Sequence, residues 1–171
     1  MKSIALLLLA LVLSGCGFHL RNALVLPDDL GPLQVEAGDP HRELARDLEQ
    51  ALARAGAQVL PNGTAAAEGE YATLQIVGER WGDTPISIDQ FGRSQEFTLR
   101  YAVIFSVQHA DGTDLVPQQA IELARDYVSV PTQSIGTEGE REILAREMRR
   151  EMVTSILRRI DAVSRLARES P

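Results

Sequence analysis

Cys16 is the residue whose chemistry can be read most directly from its neighbours. It is the only cysteine among 171 residues, so it has no intramolecular disulfide partner and cannot build a thiolate metal cluster. It closes the run Leu13-Ser14-Gly15-Cys16, behind the charged start Met1-Lys2-Ser3 and the apolar stretch Ile4 to Leu13. One positive charge, an apolar segment of about ten residues and small residues before a cut site are the parts of a secretory signal. The stretch is about half the roughly 20 residues that a spanning helix needs. Its last four residues match the bacterial lipobox, in which the bond before the cysteine is cut and the sulfur is acylated. The thiol supplies the nucleophile, and small neighbours let the peptidase reach the bond. The expectation is a signal peptide over 1–15 and lipid attachment at Cys16 through a diacylglycerol and an N-acyl chain, with no other cofactor. One acyl chain binds a membrane only marginally, whereas two or more anchor it stably. Gly17 follows the cysteine where inner-membrane retention would favour aspartate. The expected location is therefore the periplasmic side of the cell outer membrane.

Other reactive groups are scattered. His19, His41 and His109 have no metal-ligand spacing to one another or to Cys16. No hydroxyl-bearing residue sits in a nucleophile elbow. Asp111-Gly112-Thr113-Asp114 lacks the remaining ligands and terminal glutamate of a calcium loop and reads as a β-turn. No catalytic residue and no metal site is expected. Arg80, Arg93 and Arg100 form a more specific group on or beside a predicted hairpin, with Arg93 near its tip. Guanidinium forks suit phosphate and carboxylate through bidentate hydrogen bonds. The plainer alternative is solvated charge among Asp83, Asp89 and Glu96.

Composition narrows the partners. Removing residues 1–15 takes away Lys2, the only lysine, and leaves 16 arginines against 24 acidic residues, a net charge of about −8. Nucleic-acid binding without sequence preference requires a basic footprint, so no nucleic-acid partner is expected. An anionic ligand would have to meet a local arginine cluster.

The elements that position these residues follow from periodicity. Residues 16–32, with Pro27, Gly31 and Pro32, read as a lipidated N-terminus and tether, and 33–171 as a single α+β domain. Leu33, Val35 and Ala37 alternate with polar residues as a half-buried strand. Asp39 and Pro40 suit the cap and first position of a helix whose stripe is Leu44, Leu48 and Leu52, ended by Gly56. A short strand at Gln58-Val59-Leu60 precedes a loop from Pro61 to Glu70. Ala72, Leu74 and Ile76 alternate next, as do Ile86 and Ile88. Phe97, Leu99, Tyr101, Val103, Phe105 and Val107 place six apolar residues on one strand face. A turn around Gln90 to Ser94 would pair Ile88 with Phe97 and Ile86 with Leu99, with a bulge at Gly82-Asp83 correcting the register. A further strand is expected from Ala120 to Val130. Thr137-Glu138-Gly139-Glu140 reads as a capping box for a last helix striped by Leu144, Met148, Met152, Ile156 and Ile160. One small mixed or antiparallel sheet with both amphipathic helices on one face buries these stripes economically, in the order β-α-β-β-β-α after allowing for the short strand.

The chain resembles the LPS-assembly lipoprotein LptE family. The resemblance lies in Gly15-Cys16-Gly17-Phe18-His19-Leu20-Arg21, Gly38-Asp39-Pro40, Gln95-Glu96-Phe97, Arg146-Glu147-Met148-Arg149-Arg150 and Ile156-Leu157-Arg158-Arg159-Ile160. The first run is fairly specific; the others gain weight from their order along nearly all the mature chain. The resemblance implies a non-enzymatic outer-membrane protein that plugs and helps assemble the LptD β-barrel and assists lipopolysaccharide delivery to the outer leaflet. It also implies a lipopolysaccharide contact through basic residues, with Arg93 matching one in the central loop; Arg100 and Arg80, read above as part of the same cationic group, are the further candidate contacts. A second basic position is expected just before the last helix, where this chain has Thr137. No Arg or Lys occurs from Ser129 to Glu140. The alternative function is a stand-alone periplasm-facing carrier that binds a lipid or glycolipid in its own cavity.

Overall fold

The alternating run around Tyr101 becomes a sheet centre. The computed structural model describes residues 30–39, 42–61, 71–88, 94–129 and 134–169. Its strands are β1 (Leu33–Ala37), β2 (Val59–Leu60), β3 (Ala72–Ile88), β4 (Ser94–Gln108) and β5 (Asp114–Val128). The helices are α1 (Glu43–Arg54), between β1 and β2, and α2 (Ser134–Glu169), after β5. One five-stranded mixed sheet has the order β2-β1-β3-β4-β5. β1 runs parallel to β2 and β3, while β3, β4 and β5 are antiparallel.

Both helices pack on one sheet face, as their stripes require. Leu44, Leu48 and Leu52 of α1 are buried against Met148, Met152, Ile156 and Ile160 of α2 and against Leu99, Tyr101, Val103 and Phe105 of β4. Each such side chain contributes roughly 1.5–3 kcal/mol on leaving water. Packing begins ahead of β1: Leu30 is buried, and the Pro32 carbonyl accepts from the Ala72 amide at 2.8 Å.

Several local expectations shift. The irregularity in β3 falls at Val77, between Ile76 and Gly78, and Gly82 and Asp83 pair regularly with Arg100 and Leu99. A one-residue slip exchanges the two faces of a strand. Beyond Val77 the odd-numbered Glu79, Trp81 and Asp83 therefore join the helix-facing side, opposite Val103, Tyr101 and Leu99. The partners expected for Ile86 and Ile88 are displaced: Pro85 faces Phe97, Ile88 faces Ser94, and Ile86 is 52% exposed.

Helix α1 starts at Glu43, with Arg42 rather than Asp39 at its N-cap and no side-chain cap. The Asp39 carbonyl instead closes a turn by accepting from the Arg42 amide at 3.2 Å. Pro40 lies outside the described residues. Strand β5 begins at Asp114, six residues before the expected start. It lies at the sheet edge, where Pro117 costs no interior ladder bond, and register shifts near Val107 accommodate it. Helix α2 begins at Ser134, so Thr137 lies inside it rather than capping it. The expected terminators hold, with Gly56 at φ 94° after α1 and Gly112 at φ 82° in the β4–β5 turn.

Candidate functional site on the central hairpin

The arginines expected to meet ligand belong to the β3–β4 hairpin. Arg80 pairs in register with Ala102, and Arg100 with Gly82, so both lie on the sheet face away from the helices. Both are exposed. The Arg100 Nη1 contacts Glu122 Oε1 of β5 at 2.7 Å. Arg80 has no ion pair among the described residues. Arg93 and Cys16 lie outside the described residues, so the structure brings together two of the three predicted contacts.

The outer face around them is polar but not uniformly so. Thr98 Oγ1 donates to Asp126 at 2.7 Å, and Gln108 Nε2 donates to Asp114 at 3.0 Å. Ile86, Ile104 and Val128 interrupt the polar surface as exposed apolar side chains. No second layer of the described residues covers this face.

The other side of the hairpin holds two polar networks missed in the sequence. In the first, Arg141 of α2 grips Asp83 with both Nε, at 3.1 Å, and Nη2, at 2.8 Å. Tyr127 also donates to Asp83 at 3.0 Å and stacks on Phe97 at a centroid separation of 5.6 Å. The Arg141 hydrogen bond holds the Asp83 carboxyl below the usual carboxylate range, with Tyr127 adding to it against the opposing effect of burial. Burial, then the hydrogen bond to Asp83, pushes the Tyr127 phenol up. Arg141 is thus the first basic residue along α2, near the second cationic position suggested by resemblance, but it is spent on pinning the hairpin to the helix.

The second network lies deeper. Trp81 stacks on Tyr101 with centroids 3.7 Å apart, and the Tyr101 hydroxyl donates to Glu79 at 2.8 Å. The Glu79 side chain is 9% exposed and also faces Arg42 Nη1 at 3.5 Å. Burial pushes the Tyr101 phenol far above its ordinary value, and the Glu79 charge adds to this. Neutral Tyr101 is therefore a fixed donor. Both networks were hidden by the displaced β3 register. The available signal was the odd-numbered set Glu79, Trp81 and Asp83, which has aromatic and acidic partners only after the shift at Val77.

This arrangement positions side chains without gathering a nucleophile, a base and an oxyanion donor around one point among the described residues. What it offers is a hairpin with a polar outer face and two arginines, Arg80 and Arg100, midway along it.

Residues 30–160 match the family model described as LptE: Lipopolysaccharide-assembly. A relative called LPS-assembly lipoprotein LptE in Photorhabdus laumondii is 28% identical over 153 residues, covering 90% of this chain and 81% of that one. Its namesake in Yersinia pestis is 30% identical, over 90% of this chain and 72% of the relative. Lipoprotein B from Nitrosomonas europaea, solved by NMR, superposes with a TM-score of 0.67 at 27% identity, over 85% of this chain and 91% of the other. The crystal structure of rare lipoprotein B from Shewanella oneidensis also gives 0.67, at 24% identity over 81% and 99%, a likeness of fold.

Proposed function

This chain belongs to the LptE family of lipopolysaccharide-assembly proteins, and on that premise we propose that it is an outer-membrane lipoprotein that plugs an LptD-type β-barrel. In this role it helps the barrel assemble and assists delivery of lipopolysaccharide to the outer leaflet. The family's role is assembly, so no reaction is assigned to the chain.

The observation that carries the plug reading is the unequal treatment of the sheet. One face is closed by α1 and α2, while the other presents Arg80, the Arg100–Glu122 pair and the Thr98–Asp126 pair. The lumen of an outer-membrane barrel is polar, so such a face can exchange water for lumen groups without exposing a hydrophobic core. Acyl chains on Cys16 would hold the protein at the periplasmic side of the membrane while the domain occupies the lumen. Arg93, together with Arg100 and Arg80 farther along the hairpin, would meet the anionic groups of lipopolysaccharide.

Photo-crosslinking separates the faces. A crosslinking residue in place of Ala102 or Ala124 on the outer face should capture a large β-barrel in intact outer membranes. Absence of barrel adducts from both outer-face positions, despite membrane localisation, contradicts the proposed contact. Arg93→Glu should weaken lipopolysaccharide binding while leaving the thermal transition in place; unchanged binding removes Arg93 from the site. Cys16→Ala should release the chain from membranes lacking the barrel partner, and retention there contradicts lipid anchoring.

A further inference from the structure

We propose that the groove between α1 and α2 is a second, separate anion site that takes a phosphate group. The proposal rests on the groove's own residues and goes beyond the hairpin contact. The cavity is about 980 Å³ and is lined by five arginines, Arg46, Arg54, Arg146, Arg149 and Arg150, against two carboxylates, Glu43 and Asp47. That local excess of positive charge stands in a chain whose net charge is −7.

The arginines are unequally satisfied. Arg149 is held in place by Glu43, with Nη2 to Oε2 at 2.6 Å, and its side chain is only 16% exposed. Its Nε is buried and meets no acceptor among the described residues. A buried donor left without an acceptor is unfavourable, so an oxygen-rich ligand reaching it would recover free energy. Arg46 and Arg150 have no ion pair among the described residues. Arg54 directs its Nε to the Gln50 carbonyl at 3.1 Å and has no acidic partner among the described residues. Among the described residues Arg146 is paired only with Glu142 on its own helix, at 3.3 Å in an exposed geometry. Such a pair is weak and readily exchanged.

Packing two helices does not call for this arrangement. The seam is already closed by Leu48, Leu52, Met152 and Ile156, which are fully buried beneath it. Gathering guanidinium groups above the seam adds repulsion that an anion would remove. Phosphate fits the donors because its oxygens accept bidentate bonds from more than one guanidinium, and its second negative charge answers the local excess. The phosphate could be free or part of a lipid headgroup.

The test uses the acylated full-length protein in neutral detergent, labelled with ¹⁵N-arginine and titrated with inorganic phosphate and, separately, short-chain phosphatidic acid. Saturable shifts of arginine Nε–H resonances are expected, including Arg149. Arg46→Gln together with Arg150→Gln should weaken phosphate binding by about tenfold or more. Arg158→Gln together with Arg159→Gln, exposed on α2 and outside the groove lining, should leave it unchanged. Tighter binding of phosphatidic acid than phosphate identifies a headgroup site, and equal affinity identifies a site for the phosphate group alone; both uphold the proposal. It is overturned if no shift saturates, if chloride at equal ionic strength gives the same shifts, or if the Arg46/Arg150 variant binds as tightly as the unaltered chain. Binding of an acidic peptide without phosphate binding also overturns it. Failure here leaves the hairpin contact standing, because that contact is read separately by Arg93→Glu in a lipopolysaccharide-binding assay.

Discussion

The two faces of strand β4 have the same backbone and opposite duties. Toward the helices, Leu99, Tyr101, Val103 and Phe105 are completely buried. Toward the open side, Arg100 and Ile104 alternate with them and remain exposed. The covered face derives its stability from apolar area removed from water, which every substitution there disturbs. The open face contributes little to folding and is free to be shaped by whatever it meets. Within the covered face the Asp83–Arg141–Tyr127 network is an intermediate case: charged, yet directed inward to fix the far end of the hairpin to α2.

The contrast is broken most severely from inside. Phe105→Ala should destabilise the domain by about 3–5 kcal/mol, measured by denaturant unfolding, because a large buried side chain leaves a cavity the sheet cannot close. A loss comparable to that of an exposed site would mean that the covered face is not the stabilising one.

Asp83→Asn should cost less, about 1–3 kcal/mol, since it replaces a charge-assisted pair with a weaker amide contact. Its pH signature is specific. The Asp83 carboxyl is held below its ordinary value in the folded state, chiefly by Arg141. The associated stability is complete above the unfolded carboxylate value of about 4 and is lost as pH falls through the lower folded value. The unaltered protein and the Asn variant should therefore differ at neutral pH and converge in acid. A difference that persists undiminished in acid would assign the effect to packing.

The smallest effect on folding should come from Arg100→Ala. An exposed ion pair contributes about 0–1 kcal/mol, so the unfolding midpoint should hardly move. Lipopolysaccharide retention should nevertheless fall in a binding assay. Reduced stability with intact binding would reverse the roles assigned to the two faces.

How much of this was legible in sequence depended on whether one periodicity governed the segment. The β4 run kept strict alternation from Phe97 to Val107, and its face was readable. The Leu44-Leu48-Leu52 and Met148-Met152-Ile156-Ile160 stripes were equally plain, since four-residue spacing keeps side chains on one helix face. The polar networks were not legible. A single extra residue at Val77 turned Glu79 and Asp83 inward, and alternation alone could have placed that slip at several positions between Ile76 and Ile88. The start of α2 was misread because Thr137 and Glu140 satisfy a capping pattern locally, while the helix continues back to Ser134. The pairing of Arg141 with Asp83, 58 residues apart, depends on tertiary placement and has no local signature. The α1–α2 arginine groove likewise joins two segments that are distant in sequence.

The central claim, a plug seated in a barrel, is tested most directly by affinity isolation of the tagged protein from outer membranes, with quantitative mass spectrometry of what accompanies it. The account predicts a large β-barrel protein at about a one-to-one ratio. Recovery of the acylated chain with bound lipid and no barrel would contradict it and favour a stand-alone carrier.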